Sequence, residues 1–264
     1  MSPRVVLVAF LGSMAGCALE VPPTEPSFDS GRPAVTLYQI QDEEADGHPE
    51  AGSSVRVTNL VVTGVDRFDE DGSGKTGTVF VQEIGGGPYS GIQMFRPTIQ
   101  PASAYLLPGD VVEVGGTYVE FEYGQINPTG ADPRGRTVSQ ITDGIARKTG
   151  EWISPEPTPV ESSADVQTDP AAEQWEGVLV ELHDVELLTA PDSRGAFFVQ
   201  GDGPCVTTRD AETCAQIDDD NYAIPGAGVG MRLSRVAGIS SYFYTYKILP
   251  RSSLDVEIDA PAQN

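Results

Sequence analysis

Two acidic loops, two histidines and an alternating set of tyrosines are the groups in this 264-residue chain best suited to hold a ligand. Asp69-Glu70-Asp71-Gly72-Ser73-Gly74 places oxygen ligands at Asp69, Asp71 and Ser73 ahead of a Gly, as the first half of a calcium loop does. The bidentate Glu due at the twelfth position is missing, and Phe80 stands there. The run therefore reads first as a solvated turn, with a Ca2+ site as the alternative. Asp218-Asp219-Asp220-Asn221 reads as a charged loop. Neither His48 nor His183 has a Ser or Cys nucleophile at a triad-like spacing. Gly85-Gly86-Gly87-Pro88 is a turn cluster rather than a phosphate loop opening a helix. The chain is therefore expected not to be an enzyme and to carry no cofactor beyond that calcium alternative. Tyr242, Tyr244 and Tyr246 would share one face of a strand, and Tyr118 and Tyr123 lie in the matching upstream hairpin. These five rings form the candidate binding face, of the kind that stacks sugars or bases. The same rings could instead pack between two modules.

The charge bears on what such a face could meet. The chain has 39 acidic residues against 16 Lys plus Arg, a formal charge of −23. Nucleic-acid affinity comes from cationic side chains displacing phosphate counterions, so nucleic acid is an unfavoured partner and a neutral glycan is not repelled. The 29 Gly and 21 Pro point to short strands joined by many turns. No apolar run is long enough for a transmembrane helix of about 20 residues.

The N-terminus reads MSPRVVLVAFLGSMAGC. Arg4, the apolar Val5–Leu11 run and the small residues that follow make a secretory signal. Met14-Ala15-Gly16-Cys17 resembles the lipobox of bacterial lipoproteins, with Met where Leu is usual. The resemblance implies lipid attachment at Cys17, and Ala18 after it fits sorting to the bacterial outer membrane or cell surface. A Pro-, Ser- and Glu-rich tether would follow over residues 17–35. Lipidation of Cys17 leaves Cys205 and Cys214 as an even pair in a compartment that permits a disulfide. The alternatives are two free thiols or a metal pair, though no nearby Cys or His completes a zinc set.

The body repeats itself. GTVFVQE (77–83) parallels GAFFVQG (195–201), and VRVTNLVVTGV (55–65) parallels the strand opening near 178. Gly116 aligns with Gly238, and the alignment continues through Phe121/Phe243, Gln125/Lys247, Ile126/Ile248 and Pro128/Pro250. Both copies are rich in Val and Thr with period-two patterning, so the fold class is all-β, two small barrels in tandem. Gly115-Gly116 marks a bulge or bend in the longest strand. The expected organisation is a signal peptide over 1–16, a tether over 17–35, a barrel over 36–147, a Pro- and acid-rich linker over 148–174, a second barrel over 175–258 and a disordered tail over 259–264. The linker could also lie along both barrels.

The order of these motifs, with Pro108-Gly109-Asp110-Val111-Val112 and Glu176-Gly177-Val178-Leu179-Val180, resembles the tandem OB-fold-like region of secreted bacterial nucleases of the endonuclease/exonuclease/phosphatase type. The resemblance implies the non-catalytic part of such a protein, because those motifs are fold signals. The functional expectation is a lipid-anchored cell-envelope binding or adaptor module for a polysaccharide or a protein. Its alternatives are an accessory subunit of a separate secreted nuclease or hydrolase, and a direct binder of single-stranded nucleic acid.

Overall fold

The computed structural model describes residues 28–66, 77–122, 136–168, 170–201, 205, 214–243 and 245–259. Six strands form the first sheet: β1 (Ser54–Val65), β2 (Thr78–Glu83), β3 (Gly91–Phe95), β4 (Thr98–Gln100), β5 (Asp110–Phe121) and β6 (Val138–Trp152). β1, β2 and β3 run as an antiparallel meander, β5 returns to β1, and β6 pairs with β5. A parallel pairing of β3 with β6, through Gln93–Gln140 and Met94–Ile141, closes the circuit. β4 lies outside it, parallel to the later part of β6. The second sheet holds β7 (Thr158–Pro159), β8 (Leu179–Leu187), β9 (Phe197–Gln200), β10 (Ala215–Ile217), β11 (Arg232–Tyr242), β12 (Tyr246–Leu249) and β13 (Val256–Ile258). Strands β8, β9, β10, β12 and β11 close the same circuit, with β10 parallel to β12 at Ile217–Ile248. Each circuit is a five-stranded barrel of OB-like connectivity.

Period-two alternation decides which side chains fill each barrel. Val79 and Val81 on β2, and Ile92 and Met94 on β3, point into the first core, while Phe80, Gln82, Gly91 and Gln93 point out of it. Phe197 and Val199 on β9 and Ala215 and Ile217 on β10 fill the second core in the same way. The register of β5 against β6 shifts between Gly115 and Thr117. The expected bend is therefore there, and a Cβ at Gly116 would run into Ile141 and the Thr142 carbonyl.

The repeat extends beyond the motifs that reveal it. Val35 donates its N–H to the Arg56 carbonyl and Val160 donates to that of Glu181. Gly52 N–H meets the Tyr118 carbonyl as Gly177 N–H meets that of Ser240, and Gly109 N–H meets Val62 as Gly230 N–H meets Leu187. All four of these glycines have positive φ, as do Asn59, at a register shift in β1, and its counterpart Asp184 in β8. Each barrel also carries a short plug. The helix α1 (Leu37–Gln41), N-capped by Thr36, buries Leu37 and Ile40 in the first core. A 3-10 turn (Ser163–Val166), N-capped by Ser162, buries Val166 in the second.

Three sequence expectations change. The partner of Gly238's hairpin is not the run ending at Pro128: Ser240 pairs with Ile248 as Tyr118 pairs with Ile141. Ile248 therefore corresponds to Ile141 and Lys247 to Gln140, while Gln125, Ile126 and Pro128 lie outside the described residues. The cause is a longer β5–β6 connection in the first barrel, where only residues 243–245 separate β11 from β12. The expected linker is in part barrel: β6 runs to Trp152, β7 pairs with β8, and Val160, Val166 and Ala172 are buried. It also touches the first barrel, where Thr158 Oγ1 accepts the Gly87 N–H at 3.0 Å. Lastly, packing begins within the expected tether, since Phe28 lies under the guanidiniums of Arg56 and Arg147.

Candidate functional site

The outward face of β2 and β3 in the first barrel is covered by the second barrel. Phe80, only 4% exposed, packs with Leu179, Ile239 and Leu249. Gln82 Oε1 accepts the Leu179 backbone N–H at 3.0 Å, and both groups are buried. Two glycines permit this approach. A Cβ on Gly91 would overlap the Gly177 backbone, and one on Gly64 would overlap Ile239. Around this centre, Arg251 Nη1 donates to the Thr63 carbonyl at 3.1 Å, and Tyr89 N–H donates to that of Gln174 at 2.6 Å.

One flank of the seam is acidic. Glu176 is 4% exposed; its Oε1 accepts the Ser139 N–H at 2.8 Å, and Oε2 has no hydrogen-bond partner among the described residues. Glu120 accepts from the hydroxyls of Tyr118, Thr137 and Ser139, and Glu173 accepts from the Tyr246 hydroxyl. Desolvation by burial, followed by repulsion from Glu173 and Glu120, holds the Glu176 carboxyl well above the usual carboxylate range. Glu173 is raised as well, first by burial. Burial also pushes the hydroxyls of Tyr118 and Tyr246 up. The Arg136 guanidinium lies over the rings of Tyr242 and Tyr246, 5.6 and 5.0 Å from their centroids.

This arrangement overturns the tyrosine face. Tyr118 is 2% exposed and Tyr242 and Tyr246 are 1% exposed each, so none of the three offers a ring to a ligand. Tyr242 and Tyr246 instead pack edge-to-face with centroids 5.0 Å apart, in a cluster with Val138 and Ala172. The expected single strand is two: Tyr242 ends β11 and Tyr246 begins β12, where they form a cross-strand pair that packs against Val138 of the first barrel. Tyr123, Tyr244, the loop residues Asp69, Asp71 and Ser73, and Cys17 lie outside the described residues.

The other sequence candidates have structural partners. Cys205 and Cys214 form a disulfide across the β9–β10 connection, with Cα atoms 5.0 Å apart. Lys247 answers the acidic knot: its ammonium lies 2.6 Å from Asp218 and 3.3 Å from Asp220. Asp218, Asp219 and Asp220 are close enough to share a cation, but Lys247 already neutralises part of their charge. His183 pairs with Glu181 at 3.1 Å, and His48 Nδ1 lies 3.0 Å from the Gln39 carbonyl.

Sequence reasoning missed the outward face of β9 and β10. Leu187 pairs with Val199 as Val62 pairs with Val81, so Phe198 is the equivalent of Phe80 and Gln200 that of Gln82. Phe198 pairs with Gln216 as Phe80 pairs with Gln93. The Phe and Gln that hold the seam, Phe80 and Gln82, thus recur on the second barrel as Phe198 and Gln200, beside Gln216, the equivalent of Gln93, and all three are half-buried. The signal was present in the Phe-Val-Gln repeat, which served only to locate the barrels. No protein family, curated protein or solved structure matches the chain.

Proposed function

We propose that the chain is a lipid-anchored, exported binding module, held to the bacterial outer membrane or cell surface through Cys17, and that it acts as a non-enzymatic adaptor for a polysaccharide or a protein. The observation that carries this reading is the use of one repeated face twice. In the first barrel the β2–β3 face fixes the second barrel, while on the equivalent face of the second Phe198, Gln200 and Gln216 are half-buried rather than buried. A tandem of this kind makes a stiff support for one presented surface. Its charge of −23 favours neutral or cationic ligands. The reading of a single-strand nucleic-acid binder has less support. OB barrels bind oligonucleotides on this same strand face, and in the first barrel protein fills it.

Two measurements test the proposal. Labelled palmitate should enter the wild-type protein and not Cys17→Ser, and the variant should leave the membrane fraction. Purified protein should then bind on a glycan array or capture a specific envelope protein. Binding to neither class would sink the adaptor reading, and retention of Cys17→Ser in the membrane would sink the anchor. The alternative of a nuclease or hydrolase accessory subunit predicts a changed activity of that enzyme on mixing.

A further inference from the structure

Two well-exposed aromatic rings are held on one framework of the first barrel, where β5 begins beside the end of β6. Trp152 is 65% exposed and Tyr105 is 68% exposed. The indole is fixed all the same. Its Nε1 donates to the Pro108 carbonyl at 3.3 Å, and a Cβ on Gly109 would overlap Nε1, Cε2 and Cδ1 of the ring. The ring therefore lies on the bare Pro108–Gly109 backbone, with its one polar atom turned inward and its carbon surface left to solvent. Tyr105 is tied to the same framework. Lys148 Nζ donates to the Tyr105 carbonyl at 3.4 Å and pairs with Asp110 at 2.9 Å. Asp110 in turn accepts the Leu107 N–H at 2.8 Å and is the ladder partner of Trp152. Leu106 enters the core, so Tyr105 and Leu107 share the outward side. The repeat does not call for a ring here. Gly230 is the counterpart of Gly109, and nothing lies within 4 Å of where its Cβ would stand. A side chain left two-thirds exposed also gains little from burial.

We propose that Trp152 and Tyr105 form a stacking platform for a neutral polysaccharide. This rests on the adaptor reading and chooses polysaccharide over protein within it. Size decides against a protein. On a scale of about 150–250 Å² per aromatic side chain, the two rings expose roughly 200–330 Å² between them. A stable protein interface takes about 800 Å² from each partner. The β6 residues before Trp152 are polar or glycine from Arg147 on, so the apolar patch stops there. Chemistry favours a sugar. A pyranose with equatorial hydroxyls turns its weakly positive axial C–H bonds toward the negative face of an aromatic ring. A β-1,4 chain of glucose or N-acetylglucosamine repeats that face along its length. The Lys148 ammonium, partly exposed beside Tyr105, is placed to donate to a sugar hydroxyl. Nucleic-acid bases stack on aromatics too, but the charge of −23 turns away polyanions.

The probes are cellohexaose and chitohexaose, titrated into the full chain while acrylamide quenching of tryptophan fluorescence is followed. The chain's other tryptophan, Trp175, is only 9% exposed, so the quenchable signal belongs to Trp152. At least one oligosaccharide should bind and shield that indole from acrylamide. Trp152→Ala should weaken binding, read by calorimetry, about tenfold or more. Tyr105→Ala should weaken it severalfold, Trp152→Phe should keep part of it, and Leu254→Ala, at a site 85% exposed, should leave it unchanged. Both rings lie outside the core, so these variants keep the fold. No binding of either sugar, or binding indifferent to Trp152→Ala, would overturn the proposal. A thymidine oligonucleotide that bound at physiological salt in place of the sugars, and was lost with Trp152→Ala, would overturn it in favour of the nucleic-acid reading. Capture of a specific envelope protein without any sugar binding would also overturn it, yet would leave the adaptor reading standing. Failure of both ligand classes would remove the two together.

Discussion

Glu176 shows how a single side chain can set the pH response of the whole molecule. It lies in the field of Glu173 from the turn before β8 and of Glu120 from β5, accepts the Ser139 N–H of β6 and acts on Tyr246 of β12, while Arg136 and Glu43 act on Glu173. Its carboxyl is raised above the ordinary range, chiefly by burial. A group with a raised folded-state value contributes stability that is complete below the ordinary carboxylate range. That contribution is lost as pH rises through the folded value. The wild-type protein should thus lose stability between mildly acidic and mildly alkaline pH. Glu176→Gln removes the ionisation and should melt several degrees above wild type at pH 8, with the gap closing near pH 4.5. Melting curves that stay parallel across this range would count against the assignment. The sequence displayed these tyrosines and glutamates but not their burial, because alternation names a shared face without naming what covers it. Tyr242 and Tyr246 were misread for that reason and because they end and begin different strands, β11 and β12, where alternation along one strand does not apply.

Among the elements, the seam strands and the β9–β10 hairpin carry the most testable packing. At Gly91 the backbones of β3 and the segment entering β8 meet with no room for a methyl group. Gly91→Ala should therefore destabilise by about 1–3 kcal/mol through overpacking. Phe80→Ala, which empties a buried site, should cost about 3–5 kcal/mol. Both should split one calorimetric transition into two, because they uncouple the barrels while sparing each core. A single transition merely shifted downward would show that the barrels do not fold separately. The disulfide acts elsewhere. It closes a loop with a sequence separation of 9, so loop entropy gives it about 2–3 kcal/mol. Reduction should lower the second barrel's transition alone. Much of this was legible in the sequence: the Phe-Val-Gln repeat fixed β2 against β9, and Gly116 against Gly238 fixed β5 against β11. What failed was the return strand, because the connections differ in length and a ladder pairing cannot be counted across a gap. The plugs were also hidden, since a five-residue helix is too short to display a period.

At the scale of the whole molecule, the repeat raises the question of why two barrels do not become three. The seam is head-to-tail, a contact of the kind that generates open filaments when both ends stay compatible. Both ends have been altered. The leading surface of the second barrel presents Leu179, Ile239 and Leu249 to the seam, whereas the equivalent positions of the first barrel hold Ser54, Thr117 and Thr142. The receiving surface has changed as well, with Thr189 and Cys214 in place of the permissive glycines. A polar leading end and a filled receiving end are what a capped repeat array requires. Like charges spread over a chain of net −23 oppose association further. The anchor-free protein should accordingly run as a monomer in light scattering at tens of micromolar, at both low and high salt. Thr189→Gly alone repairs neither end, and Ser54→Leu with Thr117→Ile and Thr142→Leu repairs only one, so each should leave it monomeric. Both sets combined with Cys214→Gly and Cys205→Ser restore a compatible pair of surfaces, and concentration-dependent growth in mass should then appear. Growth already present in the wild type, abolished by none of these changes, would show that the ends are not capped.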